Sequence, residues 1–305
     1  MTITKLAWRD LVPDTESYQE LFAQPDLTKE HEFILSDTQP RLHYALEQMS
    51  SPWATSPFML LKAPEEAEYL TLLGDAMRQL QPKTNAVFGG QYHIAGRDVT
   101  YEPATEADGQ FAAKGEVITA NWVEAEQLFG CLRQFNGDVS LQPGLVHRAN
   151  GGVLLISLRT LLAQPLLWMR LKTVVTQQRF DWVGYDDSRP LPVSIPSMPL
   201  SLTVVLTGDR ESLADFQEME PELAEQAVYS EFEDNIQIAD ADDMAQWCQW
   251  VMAVAERFAL PSPAEDAWPG LIREAVRYTG DQETLPLCPL WIGKQLREVG
   301  VISGN

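Results

Sequence analysis

The sequence predicts an α/β fold in which strands and helices alternate as far as about residue 238, followed by a small all-helical unit. Short apolar runs such as FMLLKA at 58–63, GEVITA at 115–120 and LSLTVVLTGD at 200–209 have the length of buried strands. From residue 240 onward the apolar residues instead repeat at three and four positions, which is the period of amphipathic helices.

Amphipathic helices are also predicted between the strands. The first, EEAEYLTLLGDAMRQL, directly follows FMLLKA, and Pro165 predicts a break in the helix after the strand VLLIS. In chain order, the further predicted elements are a helix over 13–22 capped near Asp14 or Thr15, a hairpin over 86–103, a helix over 121–135, a turn-rich connector over 136–152, an acidic helix over 210–226 and a strand over 228–238.

The composition limits the classes of partner. The chain has 305 residues, enough for two domains, and a formal net charge of -22 with a pI near 4.4. An acidic surface of this size repels phosphate backbones and anionic lipids, which argues against nucleic acid and membranes as partners. The three cysteines form no CxxC pair, and no run of 18 apolar residues occurs. We therefore expect a cytoplasmic protein.

The stretch GGVLLISLRTLL at 151–162 has the layout of a second nucleotide motif, in which a buried strand leads straight into a helix. In nucleotide hydrolases of the P-loop class, acidic residues at the end of this strand hold Mg²⁺ and help to position water. Here Ser157 and Leu158 occupy those positions. Neither side chain can replace an acidic metal ligand.

The loop after FMLLKA is where a phosphate-binding loop would lie, and it has no glycine between Lys62 and Ala67. Glu68 and Tyr69 stand where such a loop has its Lys and Ser/Thr. Glu65, Glu66 and Glu68 would meet phosphate with like charge, whereas the positive end of the next helix favours carboxylates. We expect no bound nucleotide and no other cofactor.

Other common catalytic and metal sites are missing from the sequence. No HExxH, GxSxG or SxxK motif occurs, and the four histidines are far apart. His147, in LVHRANGG, is expected to order a turn rather than to catalyse. The sequence therefore predicts neither a catalytic residue nor a metal ligand in this chain.

Three segments of the sequence resemble Lon-like proteases of the B and C type. They are PGLVHRANGGVLLISLRTLLAQPLLWMRLK, LSLTVVLTGDRESLADFQEMEPELAEQ and LIREAVRYTGDQETLP, and EAEQLFG is similar to a further element of that family. The resemblance implies an AAA+-like, three-layer αβα domain of P-loop type with a degenerate nucleotide site. This domain would span residues 1–238, with a hairpin insertion at about 83–118, and a helical lid domain would span 239–305.

The resemblance also assigns positions near the expected nucleotide. Asp209 stands close to where active relatives have a sensing polar residue, and Arg277 resembles a lid arginine that can touch nucleotide. Both are expected to be vestigial, and for Arg277 we favour a salt bridge. The Ser-Lys peptidase domain of Lon-like proteases would lie beyond Asn305, so no catalytic dyad falls in this chain. Either the chain is a piece of a longer protein, which we favour, or the protein is naturally short.

The function implied is a non-hydrolysing module for assembly and substrate handling in a Lon-type serine endopeptidase. Such modules associate in rings, usually of six, that handle unfolded polypeptides. The loops over 83–115 and around Leu128–Gly130 could face a central pore, or could be a surface hairpin and core residues. Two alternatives stay open at this point: a divergent ATP-binding NTPase module, and a stand-alone acidic adaptor with no protease.

Overall fold

The computed structural model describes residues 16–21, 35–51, 53–136, 138–184 and 191–303. They group into two compact units. The larger covers residues 41–231, and the smaller combines residues from 232 onward with the described residues before Arg41. The domain boundary expected after residue 238 stays a prediction. None of the described helices is both long and apolar enough to cross a lipid bilayer.

The strands of the described residues are short, as is usual in α/β proteins. In chain order they are β1 (Phe58–Lys62), β2 (Phe88–Ala95), β3 (Asp98–Pro103), β4 (Phe111–Ala113), β5 (Val117–Ala120), β6 (Cys131–Phe135), β7 (Asp138–Gln142), β8 (Val153–Ser157), β9 (Arg179–Phe180), β10 (Met198–Pro199), β11 (Thr203–Gly208), β12 (Val228–Glu231), β13 (Asn235–Gln237) and β14 (Thr284–Pro286).

The helices of the described residues range from a single turn to more than four turns. In chain order they are α1 (Glu16–Leu21), α2 (Leu35–Thr38), α3 (Pro40–Ser50), α4 (Ala67–Leu80), α5 (Ala125–Phe129), α6 (Leu145–Arg148), α7 (Leu158–Ala163), α8 (Pro165–Gln177), α9 (Arg210–Met219), α10 (Pro221–Gln226), α11 (Ala241–Arg257), α12 (Trp268–Thr279) and α13 (Pro289–Ser303). The cap predicted near Asp14 or Thr15 lies outside the described residues.

The larger unit is built on a parallel sheet of five strands, in the order β12-β1-β11-β8-β5. Its central strands β8 and β11 are almost entirely buried, which explains their continuous apolar sequences. Helix α4 packs on β5 and β8, while α9 packs on β1 and β11. The predicted α/β fold, a parallel sheet flanked by helices, is therefore confirmed for this unit.

Proline and hairpin signals in the sequence match the structure. Pro165 begins α8 after α7 has ended at Ala163, so the predicted break is present. The hairpin expected over 86–103 is also present. Strands β2 and β3 pair antiparallel, with Gly90 opposite Pro103 at one end and Ala95 opposite Asp98 at the other, and β4 pairs with the other edge of β2.

The prediction of a helix over 121–135 is wrong for the second half of that segment. Helix α5 ends at Phe129, and Cys131–Phe135 forms a strand that pairs antiparallel with Asp138–Gln142. Gly130 ends the helix because it adopts φ 72°, a left-handed conformation that glycine tolerates. The turn-rich connector that we expected at 136–152 therefore contains the second hairpin strand, followed by the one-turn helix α6.

In the smaller unit, α11, α12 and α13 pack around a tryptophan-rich core. The rings of Trp247 and Trp268 lie edge to face with centroids 6.1 Å apart, and both are fully buried. This unit is not entirely helical, because β14 pairs antiparallel with β13. Buried Leu285 and the hydrogen bond from Trp247 Nε1 to the Pro286 carbonyl (2.9 Å) fix this short strand against α11.

The N-terminal helices that are described belong to the same smaller unit. Gln39 exchanges two hydrogen bonds with the backbone of Glu233: its Nε2 donates to the carbonyl (2.7 Å), and its Oε1 accepts from the N–H (2.8 Å). Tyr18 donates its hydroxyl to the Gln282 carbonyl. These contacts join the described residues before Arg41 to segments almost 200 residues or more away in the sequence.

Candidate functional site

The carboxyl ends of β1, β11 and β8 lie side by side at one edge of the parallel sheet, which is the edge where open α/β sheets bind their ligands. Three predicted site residues are located here. Glu65 follows β1, Asp209 follows β11, and Ser157 is the last residue of β8. We refer to this group, together with Arg159, as the strand-end site.

The side chain of Glu65 turns into the strand-end site and is only 2% exposed. Its Oε1 accepts two hydrogen bonds, one from the Ser157 hydroxyl at 2.7 Å and one from the Arg159 backbone N–H at 2.9 Å. Its Oε2 lies 3.1 Å from Nε of Arg159, at ion-pair distance. One oxygen of this carboxylate thus accepts from two donors, at the end of β8 and the start of α7, while the other faces the Arg159 guanidinium and accepts no hydrogen bond from the described residues.

The contact with Glu65 also explains the N-terminus of α7. Ser157 is the N-cap residue of this helix, yet its hydroxyl makes no capping bond to its own helix and donates to Glu65 instead. The Arg159 N–H belongs to the first turn and has no partner within the helix. Glu65 supplies that partner, and its negative charge matches the positive end of the helix.

Asp209 has a structural role of its own at the same edge. It is the N-cap residue of α9, and its side chain accepts a hydrogen bond from the Ser212 N–H at 2.8 Å. That backbone hydrogen bond is the main cause that holds the pKa of Asp209 below its ordinary value, and the positive charge of Arg159 adds to the effect.

Leu158 and Tyr69 are part of the core. Leu158 is fully buried and packs against Gly208 so closely that a Cβ on that glycine would lie 2.8 Å from Leu158 Cδ1. Tyr69 is 2% exposed on the inner face of α4. Glu68 is half-buried in the first turn of the same helix, where its charge is favourable.

Comparison with known protein families matches residues 114–232 to the LonB-like AAA domain. Over its length the chain is similar to Lon protease homologues. It is 65% identical over 299 residues, 98% of its length, to the "Putative Lon protease homolog" of Escherichia coli strain K12. It is 38% identical over 210 residues, 66% of its length, to the protein of the same name from Haemophilus influenzae.

The chain spans about half the length of the first curated Lon homologue (51%) and about a third of the second (35%). Among solved structures, the crystal structure of NtrX from Brucella abortus is similar, with a TM-score of 0.49 and 11% identity. The match covers 94% of this chain and 53% of the NtrX chain. That likeness is too distant to support an argument. The assignment rests on the sequence relatives and on the parallel sheet.

The lid arginine expected from the Lon-like resemblance lies in α12 of the smaller unit. Nη1 of Arg277 is 2.6 Å from Oε1 of Glu274, one helical turn earlier, so the favoured salt bridge is present. Both side chains are about half exposed. Its vestigial role toward nucleotide stays a prediction.

Two further predictions concern residues between β5 and β8. His147 does order a turn, because its Nδ1 accepts a hydrogen bond from the Gly144 N–H at 2.9 Å. Leu128 and Phe129 are fully buried in the core of the larger unit. The interpretation of these two as core residues is therefore the correct one, and their side chains do not face a pore.

Arg159 is the site residue that the sequence analysis missed. A signal was present, since Arg159 is a cation in the first turn of the helix that follows β8, at the edge where Glu65 was already suspected. The sequence also indicated that Glu65 would repel a phosphate. It did not indicate that Glu65 contacts Ser157, because the two residues are 92 positions apart.

Proposed function

We propose that this chain is a non-hydrolysing, AAA+-like assembly and substrate-handling module of a Lon-like serine protease that acts in proteolysis. Its place as an AAA+-like module of a Lon homologue follows from the sequence relatives and from the sheet. The loss of hydrolysis, the ring and the handling of unfolded polypeptide are the proposed parts. The peptidase activity would reside in the remainder of a longer, full-length protein.

The observation that carries the proposal is the buried carboxylate of Glu65 at the strand ends. A nucleotide with Mg²⁺ needs a carboxylate on the metal and backbone or lysine N–H groups on the phosphates. At this edge the backbone N–H of Arg159 and its side chain are already directed at Glu65. A phosphate brought to these donors would meet a negative charge, so the residues present do not fit a nucleotide.

The packing around the strand-end site supports the same conclusion. An acidic residue at position 158 would have to replace a leucine that is fully buried against Gly208. Burying a carboxylate without a partner costs several kcal/mol. The departures from a working site are thus built into the core as well as into the loop after β1.

Nucleotide titration tests the loss of binding. A ligand present at 100 times its Kd raises the free energy of unfolding by about 2.7 kcal/mol, which is readily seen as a higher melting temperature. We expect the melting temperature of the chain to be the same in MgCl₂, MgADP and MgATP at millimolar concentrations. A rise with MgATP but not with MgCl₂, together with steady phosphate release, would support the divergent NTPase instead.

A mass measurement tests the assembly part. The chain has a mass of 34.3 kDa, and we expect the full-length protein to sediment as a closed ring without added nucleotide. The chain itself should self-associate as its concentration is raised. If both species stay monomeric at all concentrations, the assembly role is wrong. A natural full-length protein that lacks a peptidase segment would favour the stand-alone adaptor.

A further inference from the structure

We infer that Glu65 is a built-in anion that holds the strand ends of the larger unit together, so that this edge of the sheet is closed without any bound ligand. In P-loop nucleotide hydrolases, phosphate and Mg²⁺ join the loop after the first strand to the end of the strand that carries the acidic residues. Here Glu65 joins the corresponding two segments by itself. The inference concerns what holds the site together, and it goes beyond the proposal that nucleotide does not bind.

The first argument is the convergence of donors. The Ser157 hydroxyl, the Arg159 backbone N–H and the Arg159 Nε all lie within 3.1 Å of the one carboxylate. Hydrogen bonds between a charged acceptor and such donors are roughly twice as strong as those between neutral groups. Two hydrogen-bond donors and a guanidinium around one buried group are what an anion requires, and Glu65 provides that anion from a loop more than 90 residues away in the sequence.

The second argument is that both partners give up a more ordinary arrangement. The Arg159 side chain is 69% exposed, so burial does not force its guanidinium toward Glu65. The Ser157 hydroxyl leaves its usual N-cap bond unmade in order to donate to Glu65. The contact with the carboxylate therefore determines the positions of both side chains.

The third argument is chemical: only a carboxylate combines an oxygen that accepts both hydrogen bonds with a second, negatively charged oxygen facing the Arg159 guanidinium. A glutamine at position 65 has the same shape but only one acceptor oxygen, and its NH₂ group would face either Arg159 or the Ser157 hydroxyl. Glu65→Gln therefore separates the role of the charge from the role of packing. Glu66 provides the matched control, because it is the next residue of the same loop and is exposed.

The first experiment compares the thermal unfolding of Glu65→Gln with that of Glu66→Gln in the complete 305-residue chain. We expect the melting temperature of the Glu65 variant to fall by about 5 °C, and that of the Glu66 variant to stay within about 1 °C of the starting protein. Equal melting temperatures for the two variants would overturn the inference.

The second experiment supplies the missing anion from solution. Glu65→Ala leaves space where the carboxylate was, and we titrate it with acetate and with inorganic phosphate, against chloride at matched ionic strength. We expect acetate or phosphate to raise the melting temperature of Glu65→Ala by several degrees more than chloride does, and to leave Glu66→Ala unchanged. An equal effect of all three salts on Glu65→Ala would overturn the inference.

A double-mutant cycle covers the case in which Glu65→Ala does not fold. The cycle combines Glu65→Gln with Ser157→Ala. The inference requires the loss of melting temperature in the double variant to be clearly smaller than the sum of the losses in the two single variants. Strict additivity would overturn it. If MgATP raises the melting temperature of the starting chain, the proposed function is contradicted but this inference is not. The Glu65 and Glu66 variants are compared with each other in the absence of nucleotide.

Discussion

His147 is buried among aromatic rings although its imidazole can carry a proton. Its ring stacks on Trp182 with centroids 5.7 Å apart, and Phe180 approaches to 4.3 Å. Burial lowers the pKa of His147 from 6.5 to about 3, and the positive charge of Arg170 acts in the same direction. The folded protein therefore holds this imidazole neutral under ordinary conditions, as the acceptor of the Gly144 N–H.

This shift predicts a specific loss of stability in acid. Below pH 6.5 the unfolded chain binds a proton at His147 that the folded chain does not, so the stabilisation present above pH 6.5 is lost progressively down to about pH 3. Between pH 7.5 and pH 5 we expect His147 to account for a loss of about 2 kcal/mol in the free energy of unfolding. Urea unfolding at a series of pH values measures it.

The control for this prediction is a variant that keeps the acceptor but cannot titrate. In His147→Asn, the side-chain oxygen can still accept the Gly144 N–H. The variant is expected to be less stable at neutral pH, with a flatter pH dependence than the starting protein. Parallel curves for His147→Asn and the starting protein would show that His147 is not the cause.

At the residue scale, the sequence showed which residues depart from a working nucleotide site, but it predicted few of their contacts. Ser157 and Leu158 were recognised as departures from an acidic pair because they follow an apolar strand directly. The ion pair of Arg277 could be expected because Glu274 lies one turn earlier on the same helix. The bonds of Glu65 to Ser157 and Arg159 could not, since they depend on which strands become neighbours in the sheet.

Gly130 shows how a single residue redirects an element. It ends α5 with φ 72°, and a Cβ at this position would lie 2.1 Å from the Gln142 carbonyl oxygen and 2.9 Å from the Gly144 nitrogen. The glycine therefore permits both a left-handed turn and the close approach of the chain after β7. Gly96, in the turn between β2 and β3, has a similar φ of 67° but open space around it.

These two glycines predict substitutions of unequal cost. Gly96→Ala meets only the backbone strain, and is expected to lower the free energy of unfolding by about 1 kcal/mol. Gly130→Ala adds a clash with backbone atoms that are fixed by neighbouring elements, so its cost should be at least twice as large. Chemical denaturation of both variants measures the difference. Equal costs would mean that the chain after β7 moves away without penalty.

At the element scale, the error over residues 121–135 has an identifiable source. The apolar residues of this segment fit a helical period, but the sequence also contains Phe-Asn-Gly-Asp, and Asn-Gly is a strong signal for a hairpin turn. The structure has β6 and β7 on either side of this dipeptide, with Asn136 at φ 51°. The turn chemistry was more informative here than the hydrophobic period.

The whole molecule divides into two units, and the larger one has its own core. One buried hydrophobic cluster of the described residues extends from Phe58 to Phe216 and lies within the larger unit. Trp168 is central to it, with its ring 5.1 Å from that of Phe216 and 5.9 Å from that of Phe58. Sequence patterns predicted its alternating strands and helices, but not the grouping of described residues before Arg41 with the C-terminal helices.

A separate core predicts that the larger unit folds by itself. A fragment of residues 41–231 keeps all five strands of the parallel sheet, so we expect a single cooperative urea transition when unfolding is followed by tryptophan fluorescence. A fragment of residues 41–200 provides the control. It lacks β11, which lies between β1 and β8, and should not fold. A longer fragment without a cooperative transition would contradict the prediction.

The position of β1 in the sheet has a consequence for the synthesis of the protein on the ribosome. Both neighbours of β1 come late in the chain: Phe58 pairs with Val204, and Met59 pairs with Val228. At translation rates of about 5–20 residues per second, the strand FMLLK is made on the order of ten seconds before either partner emerges. During that interval an apolar segment with unpaired backbone groups can pair with other nascent chains. We therefore expect a chaperone that binds this segment during synthesis to increase the fraction of chains that fold.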